Sequence, residues 1–187
     1  MNARELAVVA AIAAAACGAR RASSPQELDA LRLQLEHTPS EAGERAYLAA
    51  FPSSFASFHD WFMGELEPVY FQHLDLLEHL GSTHPDAVLD LQIAIAIGGE
   101  WDADAVGMLQ DRLAATAARE PDRFARALEV RSWPAARSVV TFLADVECHA
   151  VYPDYERAIA GLRATGHPQW ALELEQARAA RMQQPNH

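Results

Sequence analysis

Along most of its length the chain alternates between runs with apolar residues at helical spacing and short polar breaks that open on proline or a capping residue. Ser24-Pro25-Gln26-Glu27 reads as a capping box with proline at the first helical position, and Thr38-Pro39-Ser40-Glu41 repeats the device. Further helix starts are predicted at Pro52-Ser53-Ser54, Pro68, Thr83-His84-Pro85-Asp86, Asp102, Pro121-Asp122, Ser132-Trp133-Pro134, Pro153-Asp154 and His167-Pro168. The segments between them have the ordinary length of globular helices, about ten to eighteen residues.

Three stripes need partner helices: Trp101, Ala105, Met108, Leu109 and Leu113; Trp133, Ala136, Val140 and Leu143; Tyr152, Tyr155, Ile159 and Leu162. One stretch has another rhythm. From Leu89 to Ile97 the apolar residues alternate with period two, as in a strand. Pro85 and Asp86 open this stretch, Gly98-Gly99 close it, and the sequence offers no second strand to pair with it, so a buried helix is predicted. The fold class implied is all-α: stacked antiparallel helical hairpins, as a compact bundle or a short HEAT-like superhelix, in a single helical domain over 25–183.

Ahead of that domain, Arg4 is followed by the uncharged run Leu6 to Ala16, which ends at Cys17-Gly18. Eleven residues are too few for a mature bilayer span, which takes roughly twenty, but they suit a signal peptide over 1–16. Ala14-Ala15-Ala16-Cys17 resembles the lipobox of bacterial lipoproteins, which implies a lipidated Cys17 as the first mature residue. Residues 17–24 would then be a lipidated cysteine and short tether of at most about 25 Å. Ala14 stands where lipoboxes usually carry leucine, and Glu5 offsets Arg4. The competing reading is an alanine-rich first helix of a cytosolic protein, with Cys17 as a small buried residue. Cys148 is the second of two cysteines, and a bridge to Cys17 is open only to an exported, unlipidated chain.

Charge narrows the partners. The net charge is −11, and all 15 basic residues are arginine. The densest arginine stretch, Arg119 to Arg137, is interrupted by Glu120, Asp122 and Glu129, so no nucleic-acid footprint is expected.

Catalytic chemistry has little to stand on. Among the eight histidines, His73 and His79 are six apart and do not share a helix face as two metal ligands would. His73 falls on the Val69, Leu76 and Leu80 face and reads as a partly buried structural residue. Asp75 and His79 stand one turn apart and read as a surface contact. Glu100, Asp102 and Asp104 lack the further oxygens of a calcium loop and read as acids favoured at a helix start. Cys148-His149 points in two directions on a helix. No glycine-rich phosphate loop, nucleophile elbow or metal-binding cysteine pair occurs, so no catalytic, cofactor-binding or metal residue is assigned.

The most distinctive stretch runs from Ala50 to Phe62, where Phe51, Phe55, Phe58 and Phe62 repeat at helical spacing beside Trp61. Such a ladder normally points inward. Together with Pro68-Val69-Tyr70, His73 and Leu76-Leu77, this Phe-Pro-x-Ser-Phe-x-x-Phe segment resembles a poorly characterised group of helical bacterial proteins. Many of those look like lipoproteins, and some are similar to presumed toxin-immunity proteins. The resemblance covers about residues 44 to 80 and carries over no functional residue.

Together with the lipobox-like start and the acidity, it points to a membrane-tethered binding protein of the cell envelope, lipid-anchored on the periplasmic side, whose partner is a protein such as a basic toxin that it occludes. The alternatives are a structural or assembly-assisting envelope scaffold, a cytosolic interaction protein, and a hydrolase assembled from dispersed groups such as Asp75, His79 and His149. No residue is singled out for the partner-binding face.

Overall fold

The computed structural model describes residues 24–102, 104–145 and 153–183, so Cys148, His149, Tyr152, the signal segment and the tether up to residue 23, Cys17 included, lie outside the described residues. The fold is all-helical, without strand among the described residues. Those residues fall into two compact units divided between Pro52 and Ser53.

The first unit is a helical hairpin of α1 (Pro25–His37) and α2 (Glu41–Ala50). Ser24 caps α1 by accepting from the Glu27 N–H at 3.3 Å, as the capping-box spacing predicts. The second cap differs from the prediction: Ser40, not Thr38, accepts from the Gly43 N–H at 3.2 Å, and Pro39 stands outside the helix. The buried Arg32 is held by Asp29 at 2.7 Å and Glu36 at 2.5 Å, one turn to either side. Phe51 leaves α2 in an extended conformation and is buried, its ring 5.7 Å from that of Tyr47.

The second unit contains α3 (Phe55–Phe62), a 3-10 turn (Glu67–Val69), α4 (Tyr70–Leu80), α5 (Pro85–Ala96), α6 (Ala105–Arg119), α7 (Pro121–Glu129), α8 (Trp133–Ala144), α9 (Pro153–Ala164) and α10 (Pro168–Arg181). The period-two run is helical, inside α5, and Gly98 takes φ 74° just beyond it. α5 is buried over half its residues, no less than α6, but the hub is α6, which packs against α3, α4, α5, α7, α8 and α9. Contacts of this reach give a bundle, since solenoid helices meet mainly their sequence neighbours. The buried face of α6 follows the predicted stripe through Ala105, Leu109 and Leu113, and adds Val106, Ala114 and Ala117. Small residues let partner helices approach closely. Trp101 drops out of the stripe because it precedes the helix.

The aromatic ladder does point inward. Phe58 and Phe62 are fully buried and stacked at 4.7 Å, and the Phe62 ring meets His73 edge-on at 5.4 Å. Phe55 packs edge-on against Phe142 of α8 at 6.2 Å. Gly99 sits where these rings close: a Cβ there would lie 2.7 Å from Phe142 and 3.1 Å from Phe55.

α9 and α10 form an antiparallel hairpin joined by Arg163–Glu175 at 2.6 Å and by Arg178–Glu156. Across it the Tyr155 hydroxyl donates to the Leu174 carbonyl at 2.6 Å. His167, at the N-cap of α10, presents Nε2 to Asp122 at 3.1 Å and Nδ1 to Glu129 at 3.2 Å, and so ties the hairpin to α7.

Gly99→Ala is expected to destabilise the fold by about 1–3 kcal/mol, because the buried Phe142 ring leaves little room to relax; urea denaturation checks it. Burial pushes the Tyr155 phenol up, with the Arg178 guanidinium over its ring partly opposing. An unfolded tyrosine ionises near pH ~10. The folded phenol keeps its proton beyond that, so its stabilisation is complete at lower pH and declines as pH rises above ~10. Tyr155→Phe should flatten that alkaline decline while costing about 1 kcal/mol at neutral pH through the lost hydrogen bond, as pH-resolved denaturation would show.

Candidate binding cleft

α8 and α10 run parallel, because the antiparallel α9 lies between them in sequence, and side chains meet in one register along their length. Trp133 and Trp170 pair at the N-terminal ends, with ring centroids 5.4 Å apart. One turn on, Arg137 Nε lies 3.1 Å from Glu173. At the C-terminal ends, Arg181 Nε donates to Asp145 Oδ1 at 2.6 Å. The polarity of the two ion pairs is reversed from one end to the other. An antiparallel register would set Arg137 against Arg181 and Asp145 against Glu173, so the charges themselves disfavour it.

Between these pairs opens a cleft of about 610 Å³, lined by Thr141 and Gln176 as well as by both ion pairs, with Glu100 at its edge. Its anchor is Asp145. The second carboxylate oxygen of Asp145 accepts from the Trp101 N–H at 3.0 Å, and its main-chain carbonyl accepts from the Gln110 side-chain amide at 2.9 Å. The same amide donates to the Phe142 carbonyl at 2.7 Å. Gln110 is buried on α6, so the hub helix itself holds the last turn of α8 where the cleft needs it. Arg181 is buried beside Asp145, and Arg137 is exposed.

Among the described residues, each of the two guanidinium groups is engaged through Nε, leaving terminal N–H donors unused. Glu100 is exposed and has no ion pair among the described residues. The lining therefore offers spare donors and spare acceptors together. It holds no histidine or cysteine, and the described residues contain no cluster suited to a metal ion. Chemically the arrangement can bind through charge and hydrogen bonds.

The residues singled out in the sequence are placed elsewhere. Asp75 meets Arg112 of α6 at 2.6 Å, and the same guanidinium takes Glu78 at 2.7 Å and the Leu74 carbonyl, so the predicted surface contact with His79 gives way to a link between helices. His73 is fully buried rather than partly so. Asp102 does not start α6. Its carboxylate lies 3.0 Å from His59 Nε2, and the helix begins after Asp104, which takes φ 55°. The three acids therefore precede the first turn instead of occupying it, and one of them, Glu100, reaches the cleft. Trp133 departs from its predicted stripe and is 44% exposed. The arginines from Arg119 to Arg137 are all in ion pairs, among them Arg123 with Asp86 at 3.1 Å and Arg131 with Asp90 at 2.9 Å.

The cleft residues Arg137, Asp145, Glu173 and Arg181 escaped the sequence reading. The available signal was a pair of ladders at i, i+4 and i+8, Arg137-Thr141-Asp145 and Glu173-Ala177-Arg181, with opposite order of charge. Compared with known protein families, curated proteins and solved structures, the chain matches none of them.

Asp145→Ala is expected to cost about 2–3 kcal/mol, less than for a fully buried pair because Asp145 is partly exposed; it strands the Arg181 charge and the Trp101 N–H. Arg181→Met, which removes the charge along with its need, should cost only about 1 kcal/mol. Equal losses for the two variants in urea denaturation would contradict this assignment.

Proposed function

We propose that this protein is a non-catalytic binding protein of the bacterial cell envelope, anchored by a lipidated Cys17, and that it neutralises an antibacterial toxin by occlusion. The observation that carries the reading is the charged α8–α10 cleft, whose arginine and carboxylate side chains are paired with one another across the two helices. The net charge of −11 supports a basic partner, since a field of that sign draws such a partner in and accelerates encounter. A toxin covered in this way loses access to its target without any chemistry by the covering protein.

The envelope-scaffold alternative calls for a concave apolar groove in which peptides or subunits could lie. The two ion pairs that line the cleft, beside the apolar Val140, Ala177 and Ala180, favour the first reading over it. A cytosolic interaction protein using the same cleft is the form that follows if residues 1–16 are a first helix instead of a signal peptide.

The test is co-expression in a sensitive host with the products of neighbouring genes, each scored for toxicity and for protection, together with a binding measurement on the purified pair. Protection is expected, with an association rate that falls as ionic strength is raised past the point where the screening length drops below ~10 Å. Loss of both protection and affinity would remove the toxin claim.

A further inference from the structure

The geometry points to the α8–α10 cleft as the seat of an extended segment of the partner protein, one that brings an arginine or lysine side chain together with its own backbone carbonyls. This rests on the binding role proposed above and deepens it by naming what the cleft recognises. Three observations lead there. First, the spare groups of the lining are of two kinds. The terminal nitrogens of Arg137 and Arg181 are donors, while the Glu100 carboxylate and the remaining oxygen of Glu173 are acceptors. A bare anion would satisfy the first kind and meet three carboxylates, Glu100, Asp145 and Glu173. A small cation would satisfy the second kind and meet two guanidinium groups. A peptide segment with a basic side chain satisfies both, through carbonyl oxygens on the arginines and a cationic head on the glutamates.

Second, the surface beyond the cleft continues the same chemistry. Trp133, 44% exposed, lies against the buried Trp170 one turn before the Arg137–Glu173 pair. Its ring is thus backed by a second indole and is partly open to solvent, and an indole attracts a guanidinium or ammonium group through the ring quadrupole. Tryptophan and arginine are also the residues that most often dominate binding energy at protein interfaces.

Third, the dimensions agree. From Trp133 to Asp145 the helix advances by about 18 Å at ~1.5 Å per residue, and an extended segment of five or six residues at ~3.3 Å each covers the same length. With acceptors at Glu100 and Glu173 and an aromatic platform beyond, alternate basic side chains on such a segment would each find a complementary group.

The test is an NMR titration of the full 187-residue chain, ¹⁵N-labelled, with the peptide Ala-Arg-Ala-Arg-Ala-Arg and with Ala-Glu-Ala-Glu-Ala-Glu as the control. The chain has four tryptophans, so the indole N–H signals can be assigned by Trp133→Phe and Trp170→Phe. Saturable shifts of the Trp133 indole are expected with the arginine peptide and none with the glutamate peptide. Glu100→Gln, an exposed substitution that leaves the core alone, should weaken the arginine peptide about fivefold, the equivalent of ~1 kcal/mol. Equal binding of the glutamate peptide would make the cleft an anion site and overturn the inference. So would an unshifted Trp133 signal, or an affinity indifferent to Glu100→Gln. A toxin bound equally well by the Trp133→Ala variant would overturn the cleft assignment and leave the binding role intact. Arginine-peptide binding at Trp133 without toxin protection would remove the toxin role and support the cleft assignment.

Discussion

The second unit depends on burying one face of α6. Ala105, Val106, Leu109, Leu113, Ala114 and Ala117 are all removed from solvent, and helices from both earlier and later in the chain close over them. Each buried apolar side chain contributes roughly 1.5–3 kcal/mol for the larger residues and less for alanine. The mixture of small and large residues also sets how close each neighbour may come. α9 has its longest contact with this helix, and α4 is clamped to it through Arg112. Gln110 sits on the same helix but is polar, and its amide is spent on two carbonyls at the end of α8. The packing constraint is thereby converted into a positional one: the last turn of α8 cannot move without abandoning a buried donor.

From that fixed point the cleft follows. Asp145 is held from three sides, by Gln110, by the Trp101 N–H and by Arg181, and Arg181 brings the C-terminal end of α10 with it. Arg137 and Glu173 set the register in the middle, and the two indoles set it at the far end. The reversed charge order along the two helices favours this arrangement over the flipped one. The same residues that hold the helices in register retain unused hydrogen-bonding groups toward the cleft. Ion pairs with a solvent-exposed partner contribute little to stability, typically less than about 1 kcal/mol, so the Arg137–Glu173 pair, with Arg137 exposed and Glu173 partly covered, is better explained by orientation than by folding energy.

Much of the helical architecture was legible in the sequence, because helix ends are written locally. Pro25, Pro85, Pro121, Pro153 and Pro168 each stand at the first helical position. Gly98-Gly99 overrode the strand-like rhythm of Leu89 to Ile97, which in a helix spreads its apolar residues around most of the surface. Cap identity was harder: Ser40 displaced Thr38, and Asp102 was drawn off by His59, a contact across 43 positions that no local pattern encodes. The hub was hidden for the same reason. The α6 pattern differs little from that of its neighbours, and its centrality arises only when distant helices are brought together. The cleft was less legible still, since each of its ion pairs joins residues far apart in the chain, and the neighbouring Trp133, exposed in the structure, sits in a stripe that otherwise faces inward.

The functional account joins a rigid, mixed-charge cleft to an acidic chain and to a start that resembles a lipoprotein signal. A lipidated Cys17 would keep the chain at the membrane, so that the cleft meets only partners found there. The measurement that bears most directly on this account is the intact mass of the N-terminal peptide isolated from membrane and soluble fractions of the native host. A diacyl- or triacyl-modified Cys17 in the membrane fraction is the predicted result, and it would confine partners to molecules met at the envelope. An unmodified Met1 in the soluble fraction would contradict the account, return the first residues to the fold, and make the cleft the binding site of a cytosolic protein.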